Sequence, residues 1–148
     1  MDIKLNSLAD AKALLQNLDV AKLKSDTGWS PYQSFVHCAK TIDYAMTGYP
    51  RLKPAWLRQT IGRIAIHKFL KQGYMKHNLT ADVEGSPVLP SNGNAQDGLD
   101  TLLQSINRFT AWQGAMQPHL LFGNLSKAEY NRYFALHIAD HFTVLSQT

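Results

Sequence analysis

The stretch Ser126-Lys127-Ala128-Glu129-Tyr130-Asn131-Arg132-Tyr133-Phe134-Ala135-Leu136-His137-Ile138-Ala139-Asp140-His141 decides the fold. Ser126 followed three residues later by Glu129 is a capping box, in which each side chain satisfies a backbone N–H that the first helical turn leaves without a partner. At 100° per residue, Tyr130, Phe134, His137, His141 and Val144 fall within an arc of roughly 80°, the signature of a helix with one apolar stripe. The pattern predicts a helix from Ser126 to about Leu145, with both histidines turned inward. Residues at i and i+4 have Cβ atoms about 5–6 Å apart, so the two imidazoles can converge on one ion.

The same signals recur upstream. Ser7 opens a helix with Asp10 at the capping-box position and Leu8, Ala11, Leu14, Leu15 and Leu18 inward. Ser30 is an N-cap with Pro31 at the first helical position, where its missing N–H is harmless. That helix runs to Thr47, where Gly48 and Pro50 stop it, with Phe35, Ala39, Ile42 and Met46 on its core side. Pro54 opens a third stretch, Ala55 to Gln72, closed by Gly73, with Trp56, Leu57, Ile61, Ile64, Ala65 and Phe69 as its apolar positions. A fourth, Ala95 to Gln113, turns Leu99, Leu102, Leu103, Ile106 and Phe109 inward.

Between them, residues 78–94 carry Gly85, Pro87, Pro90 and Ser91-Asn92-Gly93-Asn94, the chemistry of turns, and predict an irregular connection. Residues 114–125 form a second loop. No segment shows sustained strand alternation. The expected fold is therefore all-α, a single domain over residues 1–148: a four-helix bundle with an additional helical segment and a long irregular connection.

Composition agrees with a globular chain: 45% of the 148 residues are hydrophobic and 18% charged. The N-terminus lacks the apolar core of a signal peptide, and no run of about 18 apolar residues predicts a membrane span. The single cysteine, Cys38, excludes an intrachain disulfide and fits a reducing compartment, so a cytoplasmic location is expected. The net charge of +4 is unevenly placed. No acidic residue lies between Asp43 and Asp82, where seven basic ones occur: Arg51, Lys53, Arg58, Arg63, Lys68, Lys71 and Lys76. Such a segment suits an anionic ligand, a nucleic-acid backbone or an acidic partner.

His137 and His141 read either as core histidines satisfied by hydroxyls and carbonyls or as ligands that share a cation. A third ligand is sought on the second helix, where His37 is the candidate. Projection sets His37 opposite Phe35, Ala39 and Ile42, beside Thr41 and Tyr44. That face is a polar surface or the wall of a cleft, and projection favours the surface.

Other templates fail. Residue 138 is Ile where H-E-x-x-H needs its glutamate, and Glu84 and Glu129 are too few for a di-iron carboxylate site. Cys38 adjoins His37 but points about 100° away on a helix, so no Cys–His dyad is implied. Asp140 reads first as an exposed carboxylate and second as a group orienting a ligand histidine. His119, in the loop Pro118 to Gly123, is either structural or at the mouth of a pocket. Tyr44 and Tyr133 are further candidates for that pocket. His67 and His77, in the basic segment, are expected to face solvent.

Trp29-Ser30 followed by His37, then His137-x-x-x-His141 in the last helix, resembles the metal triad of the DinB-like superfamily of four-helix bundles. The stretch Lys76-His77-Asn78-Leu79-Thr80-Ala81, the segment His119-x-x-Phe122-Gly123-x-Leu125 and the short tail after His141 resemble an uncharacterised, DUF-type branch of it. The chain departs from that branch at Leu120, where proline often stands, and at Asp140-His141-Phe142, where a second adjacent histidine is common. The resemblance implies that His37, His137 and His141 are facial ligands of one divalent ion, zinc or nickel, with His37 lining the central cleft. It implies a metal-dependent protein of the kind that includes thiol-dependent transferases and isomerases, or a hydrolase, acting on a small anionic or thiol substrate. Nucleic acid and membrane are not expected partners, and a homodimer is a candidate assembly, with Tyr49 or Trp56 at its interface. The alternative is a non-catalytic binding module that uses the basic segment 51–77, its histidines being structural.

Overall fold

In the computed structural model, which describes residues 1–148, small polar caps start the helices at the positions their side chains favour. Helix α1 (Leu8–Gln16) begins at Ser7, whose hydroxyl accepts from the Asp10 N–H. The Asp10 carboxylate reaches back one residue further than a capping box requires, accepting from the Asn6 N–H at 3.0 Å. Strand β1 (Leu23–Ser25) follows a short 3₁₀ turn at Val20–Lys22. Helix α2 (Pro31–Thr47) opens in a full capping box between Ser30 and Gln33. The third helical stretch comprises α3 (Ala55–Leu57), a π turn (Arg58–Gly62) and α4 (Arg63–Gln72), closed by Gly73 at φ 77°. Asn94 caps α5 (Ala95–Ala111), and the Ser126–Glu129 capping box starts α6 (Lys127–Phe142).

The fold is thus mostly helical, with one small sheet that periodicity did not foretell. Helix α6 ends at Phe142, not near Leu145, and strand β2 (Leu145–Gln147) pairs antiparallel with β1, Leu145 opposite Ser25 and Gln147 opposite Leu23. Three residues per strand are too few to display alternation. The helix stops where its last carbonyls find other partners: the N-terminal ammonium of Met1 donates to Phe142 and Leu145 oxygens, and the Thr143 hydroxyl to that of Asp140.

Helix α6 packs on α1, α2 and α4, and α2 lies along α5. Tyr130, Phe134, Phe35, Ile42, Leu102, Ile106, Leu8 and Leu15 fill the space between them, all fully buried. Helix α2 is covered on both sides. Its apolar positions face the core, while Gln33, His37 and Thr41 are buried as well. The connection 78–94 lies over this second side: the Gln33 amide donates to the Leu89 carbonyl at 3.3 Å, and Tyr44 shares a 2.7 Å hydrogen bond with Ser86. The polar face of α2 is therefore an internal wall, not the surface that projection favoured.

The third helical stretch departs most from its sequence pattern. Ile66 carries the one buried side chain, Gly62 being the other buried residue, while Trp56, Ile61 and Ile64 are 65%, 58% and 70% exposed. The π turn inserts an extra residue into the repeat, so apolar positions spaced for a regular helix no longer align on one side. Tyr49, expected at a surface, is buried and donates to the Thr41 carbonyl. Gly62 explains how closely the stretch approaches the loop before α6: a Cβ there would sit 1.9 Å from the Leu121 carbonyl oxygen. Gly62→Ala is expected to destabilise the protein by about 3 kcal/mol, the upper range for overpacking, because backbone on both sides must move. Urea unfolding should show a lower midpoint with an unchanged slope. No helix is long and apolar enough to cross a membrane.

Candidate metal centre

Two helices and one connecting arm bring four histidines together. Helix α6 supplies His137 and His141 from consecutive turns of its inward face, and α2 supplies His37 from its second buried side. The arm after α4 supplies His77. One nitrogen from each of the four lies within 4.8 Å of every other. His37 Nε2 is 3.3 Å from His137 Nε2, and His77 Nε2 is 3.1 Å from His141 Nε2. Trp29 walls the group, its ring stacked at 10° over His141 and tilted against His37.

The rings of His37, His137 and His141 are almost inaccessible, at 6%, 3% and 2% exposure. Burial first, and then the electrostatic influence of the neighbouring His77, holds His37 down at about 4. His137 and His141 are held well below the usual imidazole range, again by burial first and then by neighbouring histidines. All three are therefore neutral near pH 7, the form that binds metal.

Asp140 sets the fourth ring. Its Oδ2 accepts from His77 Nδ1 at 2.6 Å and from the His77 backbone N–H at 3.0 Å. With Nδ1 donating to the carboxylate, a neutral His77 presents the lone pair of Nε2 to the cluster. A carboxylate that fixes the tautomer of a ligand histidine in this way is the usual outer partner of a metal site.

The donor set fits one ion. Tetrahedral Zn–N bonds of about 2.0–2.1 Å separate the ligand nitrogens by about 3.3 Å, close to the 3.3 and 3.1 Å found here. The other separations lie within 4.8 Å. The bland alternative, histidines paired with hydroxyls or carbonyls, is not what is found: the ring hydrogen bonds of the group run to one another and to Asp140. His141 Nδ1 is buried without a partner, and the ring is held through its Nε2 beside His77, nearly parallel to Trp29.

The remaining candidates fall elsewhere. His119 is buried at 5%, and its Nδ1 accepts from the Leu121 and Phe122 N–H groups, fixing the loop before α6. Burial holds it down at about 3. Tyr133 lies between the two sets, its ring 5.1 Å from that of His119 and 5.7 Å from that of His137. Tyr44 is engaged with Ser86. Cys38 is buried, and burial pushes its thiol up, which leaves it unreactive.

His77 is the correction: expected in solvent, it joins the cluster. No periodicity marks a histidine on an irregular arm, and only the Lys76–Ala81 resemblance drew attention to it. Asp140, expected first as an exposed carboxylate, is 7% exposed and anchors that arm.

The basic segment is partly self-consumed. Lys53 pairs with Glu84 at 2.8 Å, Arg58 donates to the Lys53 carbonyl, and Arg63 donates to the carbonyls of Phe122 and Asn124. Arg51, Lys68, Lys71 and Lys76 remain exposed, as does His67.

Fold and site together define a mostly helical protein with a histidine cluster able to hold a metal ion. The chain belongs to the family described as "Protein of unknown function (DUF1569)", whose model matches residues 1–148. No curated protein and no solved structure matches it.

Proposed function

We propose that the chain is a DinB-like metalloprotein, its long helices forming a four-helix bundle around a mononuclear divalent site. The observation that carries this is the convergence of His37, His137 and His141, neutral and buried, on one point. These three are the permanent ligands, and His77 supplies a fourth nitrogen. The ion, zinc or nickel, would act as a Lewis acid toward a bound thiolate or water. Asp140 holds His77 while Trp29 walls the rings, and the exposed Arg51, Lys68, Lys71 and Lys76 give the chain a positive field that favours a small anionic or thiol substrate. A transferase or isomerase using a thiol, or a hydrolase, is the class of activity this centre suits.

Metal-stripped protein titrated with zinc or nickel should bind about one equivalent per chain. Ion in hundredfold excess over Kd adds about 2.7 kcal/mol of stability. For a chain of this length that raises Tm by roughly 5–10 °C. A chain that takes up no metal and melts unchanged removes the proposal.

A further inference from the structure

His77 differs from the other three histidines in every physical respect. It stands on an irregular arm, not on a helix, and its side chain is 23% exposed while theirs are nearly sealed. The surface clefts, including the one at Met75, Lys76, Leu136 and Asp140 beside the arm, are not lined by any of the four rings. Of the four rings, His77 is the one in contact with solvent. The arm itself is loosely held. Residues 76–82 make no backbone–backbone hydrogen bond to the rest of the molecule, and Met75 and Val83 are the buried anchors at its two ends. In between, His77 holds it in place, by two hydrogen bonds to Asp140 and one between its Nε2 and that of His141.

Charge gives a reason for exchange at this position. Four neutral imidazoles leave a divalent ion's charge uncompensated, and Asp140 is the one carboxylate hydrogen-bonded to the cluster. A buried net charge is unfavourable until it is paired. A small anion that replaces one imidazole brings the site closer to neutrality.

Resting on the metal reading above, we infer that His77 is the exchangeable ligand of the centre. It closes the coordination shell at rest and yields its place to a small monoanionic donor, such as a thiolate or carboxylate, that enters along the 76–82 arm. His37, His137 and His141 keep the ion throughout. Asp140 is the latch that sets how readily the place is given up.

Cobalt(II) reports this directly, because its visible bands follow coordination number and donor type, and azide serves as the monoanionic probe. Wild-type protein should bind about one cobalt and respond to azide only weakly. His77→Ala should retain the cobalt, show an altered visible spectrum before azide is added, and bind azide at least tenfold more tightly. Asp140→Asn should fall between the two. His77→Gln, which keeps a polar side chain on the arm, replaces His77→Ala if the latter loses helicity. Cobalt bound equally by wild type and His77 variants, with the same spectrum and the same azide affinity, overturns this inference and leaves the metal site standing. Failure of the wild-type protein to bind cobalt overturns both.

Discussion

His137→Ala and His141→Ala are each expected to reduce bound metal from about one equivalent to an undetectable level after dialysis. Loss of an outer-shell partner typically weakens metal binding 10–100-fold. Removal of a direct ligand from an inflexible helical pair should exceed that, because no other side chain stands ready to replace it. Each of the two rings lies beside the other on α6 and forms a short nitrogen pair with one further ring, His137 with His37 and His141 with His77. Deleting either breaks one of the two short nitrogen pairs outright. The metal-free variants should still fold. Both positions are surrounded by apolar and aromatic neighbours, and a buried imidazole facing only other nitrogens contributes little stability of its own. Elemental analysis paired with far-ultraviolet circular dichroism separates the outcomes: a folded variant that retains stoichiometric metal would remove His137 or His141 from the shell. The same measurement on His119→Gln should leave metal content unchanged, since that ring is committed to the Leu121 and Phe122 amides.

The legibility of this site followed the regularity of its backbone. His137 and His141 could be read because they lie on one helical stripe bounded by a capping box, where spacing converts directly into direction. His37 was harder. A single helix projection cannot distinguish a polar surface from a polar internal wall, and what covers that face of α2 is an irregular connection more than forty residues downstream. His77 was the least legible. It belongs to the kind of arm that patterning assigns to solvent, and its partner Asp140 is a charged residue on a helix whose charge alone suggests exposure. The same rule separates the elements. Capped helices such as α2 and α6 start where Ser30 and Ser126 place them, whereas the α3–α4 stretch misled, because its π turn breaks the 3.6-residue phase on which the inward assignment of Ile61 and Ile64 depended. The β1–β2 pair is a tertiary event between distant three-residue segments, and neither carries a local signal.

Metal-stripped protein is expected to unfold on mild acidification, with its urea midpoint falling steeply between pH 7 and 5. His37 is held down at about 4, His119 at about 3, and His137 and His141 well below their usual range, burial being the first cause in each case. In the unfolded chain all four return to about 6.5. Above that pH neither state is protonated at these positions and they leave stability untouched. Below it the unfolded chain takes up protons that the folded chain refuses, so stability falls as pH falls, and continues to fall until the folded-state pKa is reached. At pH 5.5 each group favours unfolding by roughly 1 kcal/mol, and the four together by several kcal/mol. The whole stability of a domain is about 5–15 kcal/mol, so the effect is comparable with what there is to lose. Bound metal should move the transition to lower pH, because three of the four rings are then held deprotonated by the ion as well as by burial. Urea titrations at pH 7.5, 6.5 and 5.5, with and without metal, measure both effects. A metal-free midpoint that stays flat across this range would mean that these histidines are not buried neutral in solution, and the enclosed cluster would have to be abandoned.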